Sequence, residues 1–274
     1  MRVISRLTDS GVEVFDADLE LVRTFPADPA IEGFAVPRSR DRLIYATGDA
    51  IRSDAWRFDL GAKIGDYIAE TAVALSADES VVWAYVPNVL AGRDRPDEWI
   101  VLDAATGELR ARHPLPTEGH GGGQFALSDG RMLLDVGEGQ DGSRTFLAGP
   151  GDEVRAVEWG SRVIVGISPD EKHVMTVDHD QQDAIFHDFS DLLGTGVRVR
   201  AFDDHLEWAG GYLTADTAIV VSATEDAWKH YRVDTGTGEV LGELGIVTID
   251  EYDLQPLGDG TYLITDTDGT LRRM

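Results

Sequence analysis

The stretch Asp97-Glu98-Trp99-Ile100-Val101-Leu102-Asp103-Ala104-Ala105-Thr106-Gly107-Glu108-Leu109 reads as an acidic start, a short apolar run and a tight turn. The run 99–102 is too short for a helix and is rich in aromatic and β-branched residues, so it reads as a strand. Asp103 to Leu109 carries Asp, Thr and Gly in the order that reverses one antiparallel strand into the next. The pattern recurs. Asp226-Ala227-Trp228 leads to Asp234-Thr235-Gly236-Thr237-Gly238-Glu239-Val240, and Asp54-Ala55-Trp56 leads to Asp59.

Asp141 and Asp183 fill the interior of this series, and Asp9 and Asp268 stand at its ends. The seven aspartates are separated by steps of 45, 43, 44, 42, 43 and 42 residues. A second ladder runs in phase at Asp16, Asp59, Asp103, Asp188 and Asp234, with its copy near Leu147 missing. A third turn lies upstream in each unit, as Ser76-Ala77-Asp78-Glu79, Ser128-Asp129-Gly130, Ser168-Pro169-Asp170-Glu171, Thr214-Ala215-Asp216 and Gly258-Asp259-Gly260. Between these turns fall strand-like runs at 73–75, 81–85, 99–102, 163–167, 174–177 and 218–221, which give four strands, A to D, per unit. A repeat of about 43 residues holding four strands predicts an all-β chain, a β-propeller with four-stranded antiparallel blades.

Seven blades are expected. Six would force Asp9 and Asp268, which lie 259 residues apart, into one blade. The first unit begins at its B strand, 3–7, and the last stops at its C strand, 270–273, so the expectation is one domain over 1–274 closed by pairing of the chain ends. Ser168-Pro169-Asp170-Glu171 followed by a strand, together with the Asp-x-x-Thr-Gly-Glu turns, resembles bacterial WD-repeat and YVTN-type propellers over most of the chain. The Trp-Asp dipeptide and the Gly-His pair of true WD repeats are absent from their places. The resemblance therefore implies the propeller superfamily and carries no catalytic residue over.

Fifty acidic side chains against 24 basic give a formal charge of −26, which repels phosphate backbones and anionic lipid, so neither nucleic acid nor membrane is an expected partner. No cysteine is present, which excludes disulfides and thiolate sites. With no apolar stretch of signal-peptide or membrane-span length, the expected compartment is the cytoplasm.

In propellers the D–A and B–C loops emerge on one face around the central channel, where ligands usually bind; this is analogy at the level of fold. That mapping makes the face strongly acidic, and three readings follow from it. Asp is a favoured turn residue, so the acids can be turn chemistry and solvation. They can also attract a protein, a peptide or a cationic small molecule, or hold Ca²⁺ or another divalent cation between loops.

Asp204 and Asp250 belong to this acidic set. Trp159 and Trp208 lie near D–A connections as candidate aromatic anchors. Loop 87–96, with Asn88, Leu90 and Arg93, is longer than its counterparts and reads as a partner-contact element. For catalysis, Glu118-Gly119-His120 and His205-Leu206-Glu207 occupy equivalent D–A connections, and His120, His205, Glu118 and Glu207 are the candidate acids and bases. Nucleophile-elbow, phosphate-loop and metalloprotease-helix motifs are all missing. The favoured expectation is a non-catalytic scaffold that binds through an acidic loop face and needs no cofactor. The alternative is a propeller hydrolase, lactonase or lyase, with or without a divalent metal.

Overall fold

The computed structural model describes residues 3–26, 30–64, 68–149, 153–190, 195–225 and 227–274. Among them the chain forms seven antiparallel sheets, numbered here as blades in chain order. Blade 1 holds β1 (Ile4–Thr8), β2 (Gly11–Phe15) and β3 (Leu21–Pro26). Blade 2 holds β4 (Gly33–Ala35), β5 (Ile44–Thr47), β6 (Ala50–Arg52) and β7 (Arg57–Asp59). Blade 3 holds β8 (Ala72–Leu75), β9 (Val81–Val86), β10 (Asp97–Asp103) and β11 (Leu109–Leu115). Blade 4 holds β12 (Gly121–Ala126), β13 (Met132–Gly137), β14 (Ser143–Ala148) and β15 (Val154–Val157). Blade 5 holds β16 (Arg162–Ile167), β17 (His173–Asp178), β18 (Asp183–Asp188) and β19 (Gly196–Arg200). Blade 6 holds β20 (His205–Tyr212), β21 (Thr217–Ala223), β22 (Trp228–Asp234) and β23 (Val240–Glu243). Blade 7 holds β24 (Leu254–Pro256), β25 (Tyr262–Thr265) and β26 (Leu271–Arg273). The count is seven, as the repeat requires. The two terminal blades have three strands each, the first lacking an A strand and the last a D strand. Two compact units result, Met1–Ala156 with blades 1 to 4 and Val157–Met274 with blades 5 to 7.

Turn chemistry explains the regularity. Asp103 Oδ1 accepts the main-chain N–H of Ala105 and of Thr106, both at 2.9 Å, and Gly107 adopts φ +72°. Asp234 repeats this with Gly236 and Thr237, followed by Gly238 at φ +76°. These glycines also admit the preceding blade. A Cβ on Gly107 would lie 2.5 Å from the Trp56 ring, and one on Gly238 would lie 2.9 Å from the Arg198 carbonyl oxygen. In the A–B turns the Ser76 hydroxyl donates to Asp78 (2.6 Å) and the Ser168 hydroxyl to Asp170 (2.8 Å). Hydrogen bonds from Ser76 and Ser80 hold the Asp78 carboxyl down at about 2.

The inner strands are apolar on both faces, as expected of a sheet that packs against a neighbouring blade on either side within its unit. On β9, Val82, Ala84 and Val86 pack with Ile44, Ala46 and Ile51 of blade 2, while Trp83 and Tyr85 pack with Met132, Leu134 and Val136 of blade 4. In the second unit Met175, Val177 and Phe186 of blade 5 pack with Tyr212, Ala218 and Val220 of blade 6. The outer strands β3, β11 and β23 are largely exposed.

The tryptophan ladder ties blades together. Trp56 donates its indole N–H to the Ala104 carbonyl oxygen (3.2 Å), Trp99 to Gln124 (2.7 Å) and Trp228 to Thr248 (3.0 Å), each reaching forward along the chain to the next blade or the connection that leads to it. Blade 2 departs from the expected register. Trp99 and Trp228 lie on third strands, but Trp56 comes just before the fourth. The cause is a tight turn at Gly48-Asp49. Asp49 draws in the Thr47 hydroxyl (2.6 Å), Arg52 (3.1 Å) and Arg57 (2.8 Å), and the hairpin closes early.

His230 lies on the face of β22 that is turned toward blade 7, because the register pairs it with Val221, and Ile219 on the same face belongs to the cluster with Leu254, Tyr262 and Ile264. It is 1% exposed, and neither ring nitrogen has a hydrogen-bond partner. Burial pushes its pKa down from 6.5 to about 4. The unfolded chain takes up this proton below about pH 6.5 and the folded chain resists it, so the stabilisation is complete above that pH and is lost as pH falls toward 4. At pH 5 the loss is about 2 kcal/mol. His230→Leu is expected to flatten the fall in urea midpoint between pH 6.5 and 4.5; a variant whose midpoint falls as steeply as the parent's contradicts this.

Candidate functional site

In the second unit, interactions converge on Glu207. Its side chain is buried, and a buried carboxylate must be compensated. Donors come from three blades or their connections. His205 donates its Nε2–H to Oε1 (2.7 Å), while Gln181 Nε2 (3.1 Å) and the Tyr252 hydroxyl (3.2 Å) donate to Oε2. Burial, and then the negative charge of Glu207, push the Tyr252 pKa up. Alongside, Trp208 donates its indole N–H to the Asp178 carbonyl oxygen (3.0 Å) and stacks on His179 at 5.5 Å between ring centres.

A bulge produces this arrangement. On β20, Leu206 pairs with Ser222 and Gly210 with Val220, so Glu207, Trp208 and Ala209 stand opposite Val221 alone. The extra residues leave the ladder and re-aim their side chains. Gly210 and Gly211, at φ +118° and +131°, make the return possible, and a Cβ on Gly210 would lie 2.2 Å from the Ile219 carbonyl oxygen. That glycine pair inside a strand is the sequence signal for the bulge, and the repeat-based reading passed over it.

Around this cluster Asp203, Asp204 and Asp250 are exposed and Glu251 is partly so. Among the described residues none of the four is in an ion pair. Some other loop acids are paired, Asp49 with two arginines, Glu32 with Lys63 (3.0 Å) and Glu138 with Arg144 (2.7 Å), whereas Asp94, Glu118, Glu158 and Asp180 are exposed with no ion pair among the described residues.

His120 and His205 fall in different compact units, and each has its own partners. His120 Nδ1–H donates to the Ile68 carbonyl oxygen (2.8 Å), and its own carbonyl accepts from the Glu70 N–H (2.7 Å), so it fastens one D–A connection to its neighbour. The Glu118 main chain donates to Glu138 Oε1 (3.1 Å). The glycine run beside His120 is a packing requirement, since a Cβ on Gly119 would lie 2.2 Å from the Tyr85 hydroxyl and one on Gly122 2.7 Å from the Asp135 carbonyl oxygen. Residues 121–123 are part of strand β12.

Loop 87–96 folds back on blade 2. Arg93 donates to the carbonyl oxygens of Gly48 and Gly61 (3.2 Å to the latter), and Arg95 to that of Leu60 (2.5 Å). Asn88 is fully buried, with its amide donating to the Pro96 carbonyl oxygen (2.8 Å) and to Glu98 (3.1 Å). Leu90 is half-buried, and Val89 is the exposed apolar residue of the loop. Strand-end carbonyls that need donors account for the fold-back, and no side-chain pattern announces them. Trp159 is buried and stacks on His187 at 4.8 Å, whereas Trp208 is half-buried. Among the described residues no three His, Asp or Glu side chains are placed to hold a metal ion, and no helix is long and apolar enough to cross a membrane.

The blade architecture is shared widely. No protein-family profile matches the sequence, and no curated protein matches it. Solved structures do match. BBS1N, solved in complex with ARL6DN, superposes with a TM-score of 0.63 at 14% identity, covering 99% of this chain and 85% of that one. Hydrazine synthase of Kuenenia stuttgartiensis gives a TM-score of 0.65 at 10% identity over 99% of this chain and 91% of that one. Hsv2 of Kluyveromyces lactis gives 0.58 at 13% over 89% and 73%. The chain is a seven-bladed β-propeller. Likeness at these identities speaks for fold alone.

The repeated aspartates separate into two kinds. Asp97 is fully buried and accepts from the Tyr85 hydroxyl (2.7 Å), the Thr117 hydroxyl (3.0 Å), the Gly119 N–H (2.8 Å) and the Val89 N–H (3.0 Å). Asp183 is likewise buried between Arg162 and Arg198, at 2.6 Å from each. Asp54, at the same ladder position, is exposed, and Asp226 lies outside the described residues. Asp97→Ala orphans three buried donors and one part-buried donor and is expected to cost about 2–4 kcal/mol in urea unfolding, against less than about 0.5 for Asp54→Ala. Equal costs at the two positions contradict the assignment.

Proposed function

We propose that this propeller is a non-catalytic binding scaffold whose D–A and B–C loops present carboxylates to a cationic protein or peptide. The observation that supports it most is the set Asp203, Asp204, Asp250 and Glu251, which have no ion pair among the described residues and lie beside the anchored Glu207–Tyr252 cluster in a chain of charge −26. Held carboxylates with no counter-ion speed the encounter with a cation and set its specificity. BBS1N, a neighbour in fold, was solved with a protein partner, which agrees with this use of a propeller.

Fluorescein-labelled octa-arginine is the test probe. Binding is expected to weaken about tenfold between roughly 20 and 200 mM salt. It is expected to weaken at least about fivefold when Asp203, Asp204, Asp250 and Glu251 are converted together to their amides. Converting the exposed Asp18, Glu20, Glu108 and Glu153 instead is expected to change it less than about twofold. Equal loss in the two variants, or no binding at low salt, contradicts the reading.

One observation favours a second reading. Glu207 accepts the Nε2–H of a half-exposed His205, which leaves Nδ1 as the ring's proton acceptor, the tautomer a general base needs. A panel of ester, lactone and phosphoester substrates tests it. Turnover abolished by His205→Ala and kept in His120→Ala supports an enzyme; no turnover of any substrate removes the reading.

A further inference from the structure

The connection from blade 6 to blade 7 runs Leu244-Gly245-Ile246-Val247-Thr248-Ile249-Asp250-Glu251-Tyr252-Asp253. Its burial alternates as in an extended chain. Leu244 and Ile246 pack on the cluster of Leu213, Ile219, Leu254, Tyr262 and Ile264, and Thr248 is buried. Val247 is 69% exposed and Ile249 48%, with Tyr252 at 51% two residues past Asp250.

The main chain is unspent. Leu244 N–H donates to the His230 carbonyl oxygen (2.8 Å), and the next main-chain rung is Asp253 to Asp250 (3.3 Å). Among the described residues, no hydrogen bond engages the main-chain N–H or C=O groups of Gly245 to Ile249. The segment is nevertheless fixed in place. Trp228 donates to the Thr248 hydroxyl (3.0 Å), which donates to the Asp250 carbonyl oxygen (2.7 Å), and the Tyr252 hydroxyl reaches Glu207 (3.2 Å).

Exposed strand edges in native proteins are normally guarded by charge. The outer strands here obey that rule, with Arg110 and Arg112 on β11 and Arg198 and Arg200 on β19. Gly245 to Ile249 carries no charge at all. Gly245, at φ +64°, turns the chain, and from Ile246 onward the segment is uncharged, anchored and unpaired, with Val247 and Ile249 outward, the features of a strand waiting for a partner strand.

We infer that residues 246–249 receive an extended segment of the partner as an added β-strand. The partner's main chain pairs with Ile246 to Ile249, its apolar side chains cover Val247 and Ile249, and its Lys or Arg residues meet Asp250 and Glu251. The occupant is thus a basic, β-branched peptide segment, chosen by charge complementarity with the carboxylates that follow the strip. This rests on the binding-scaffold reading above and adds to it the site and the form of the ligand.

The experiment selects a displayed library of random dodecapeptides on the intact protein and measures the enriched peptides by fluorescence anisotropy. Alternating apolar and basic sequences are expected. Their binding should fall at least about tenfold in the Val247→Asp/Ile249→Asp variant, and likewise when alternate peptide amides are N-methylated, because one removes apolar cover and the other the strand hydrogen bonds. Val247→Thr/Ile249→Thr, which keeps β-branching, should bind within about threefold of the parent and melt with it. Bound peptide should slow amide hydrogen exchange at 246–249. Salt-sensitive basic peptides that bind the Asp variant equally well, or that leave exchange at 246–249 unchanged, overturn the strand addition and leave the acidic scaffold standing. Enrichment of no basic sequence overturns both.

Discussion

The constraint on which the fold depends is that the inner strands of a blade bury both faces. A sheet with Val82, Ala84 and Val86 on one side and Trp83 and Tyr85 on the other cannot stay exposed on either. Within each unit every inner blade therefore takes two neighbours, and polar groups caught between blades must find partners there. The indole bonds from Trp56, Trp99 and Trp228 meet that demand with one residue type, on the third strand of blades 3 and 6 and just before the fourth strand of blade 2. The glycines of the Asp-x-x-Thr-Gly turns meet a related demand, since their missing Cβ lets the adjoining blade approach.

This division of labour made the fold readable. Turn residues act through local hydrogen bonds, so Asp103 and Asp234 announce their turns within a few residues, and a step of about 43 counts the blades. The candidate site is harder to read because it is made where the repeat is broken. The Glu207 bulge depends on two glycines that follow the residues it re-aims. The fold-back of loop 87–96 depends on carbonyl oxygens of blade 2, which leave no mark in a side-chain pattern. Asp54 and Asp97 are indistinguishable as ladder members, yet one faces solvent and the other anchors four donors, because only Asp97 has Tyr85 and Thr117 within reach.

Paired and unpaired acids are the further distinction that needs three dimensions. The chain carries carboxylates everywhere, and composition alone makes each of them equivalent. Coordinates sort them into turn acids such as Asp78, acids spent on arginines such as Asp49, a buried hub at Glu207, and the loop acids near it that have no counter-ion. The last group lies beside an uncharged segment, Ile246 to Ile249, whose main chain makes no hydrogen bond among the described residues.

Carboxylate footprinting tests the account most directly. Carbodiimide-driven labelling of Asp and Glu, read by mass spectrometry with and without a bound basic peptide, is expected to show protection at Asp203, Asp204, Asp250 and Glu251 and none at Asp18, Glu20 or Glu108. Protection that falls on those distant acids, or on no carboxylate while the peptide is bound, contradicts the central claim that the second unit's loops are the binding surface.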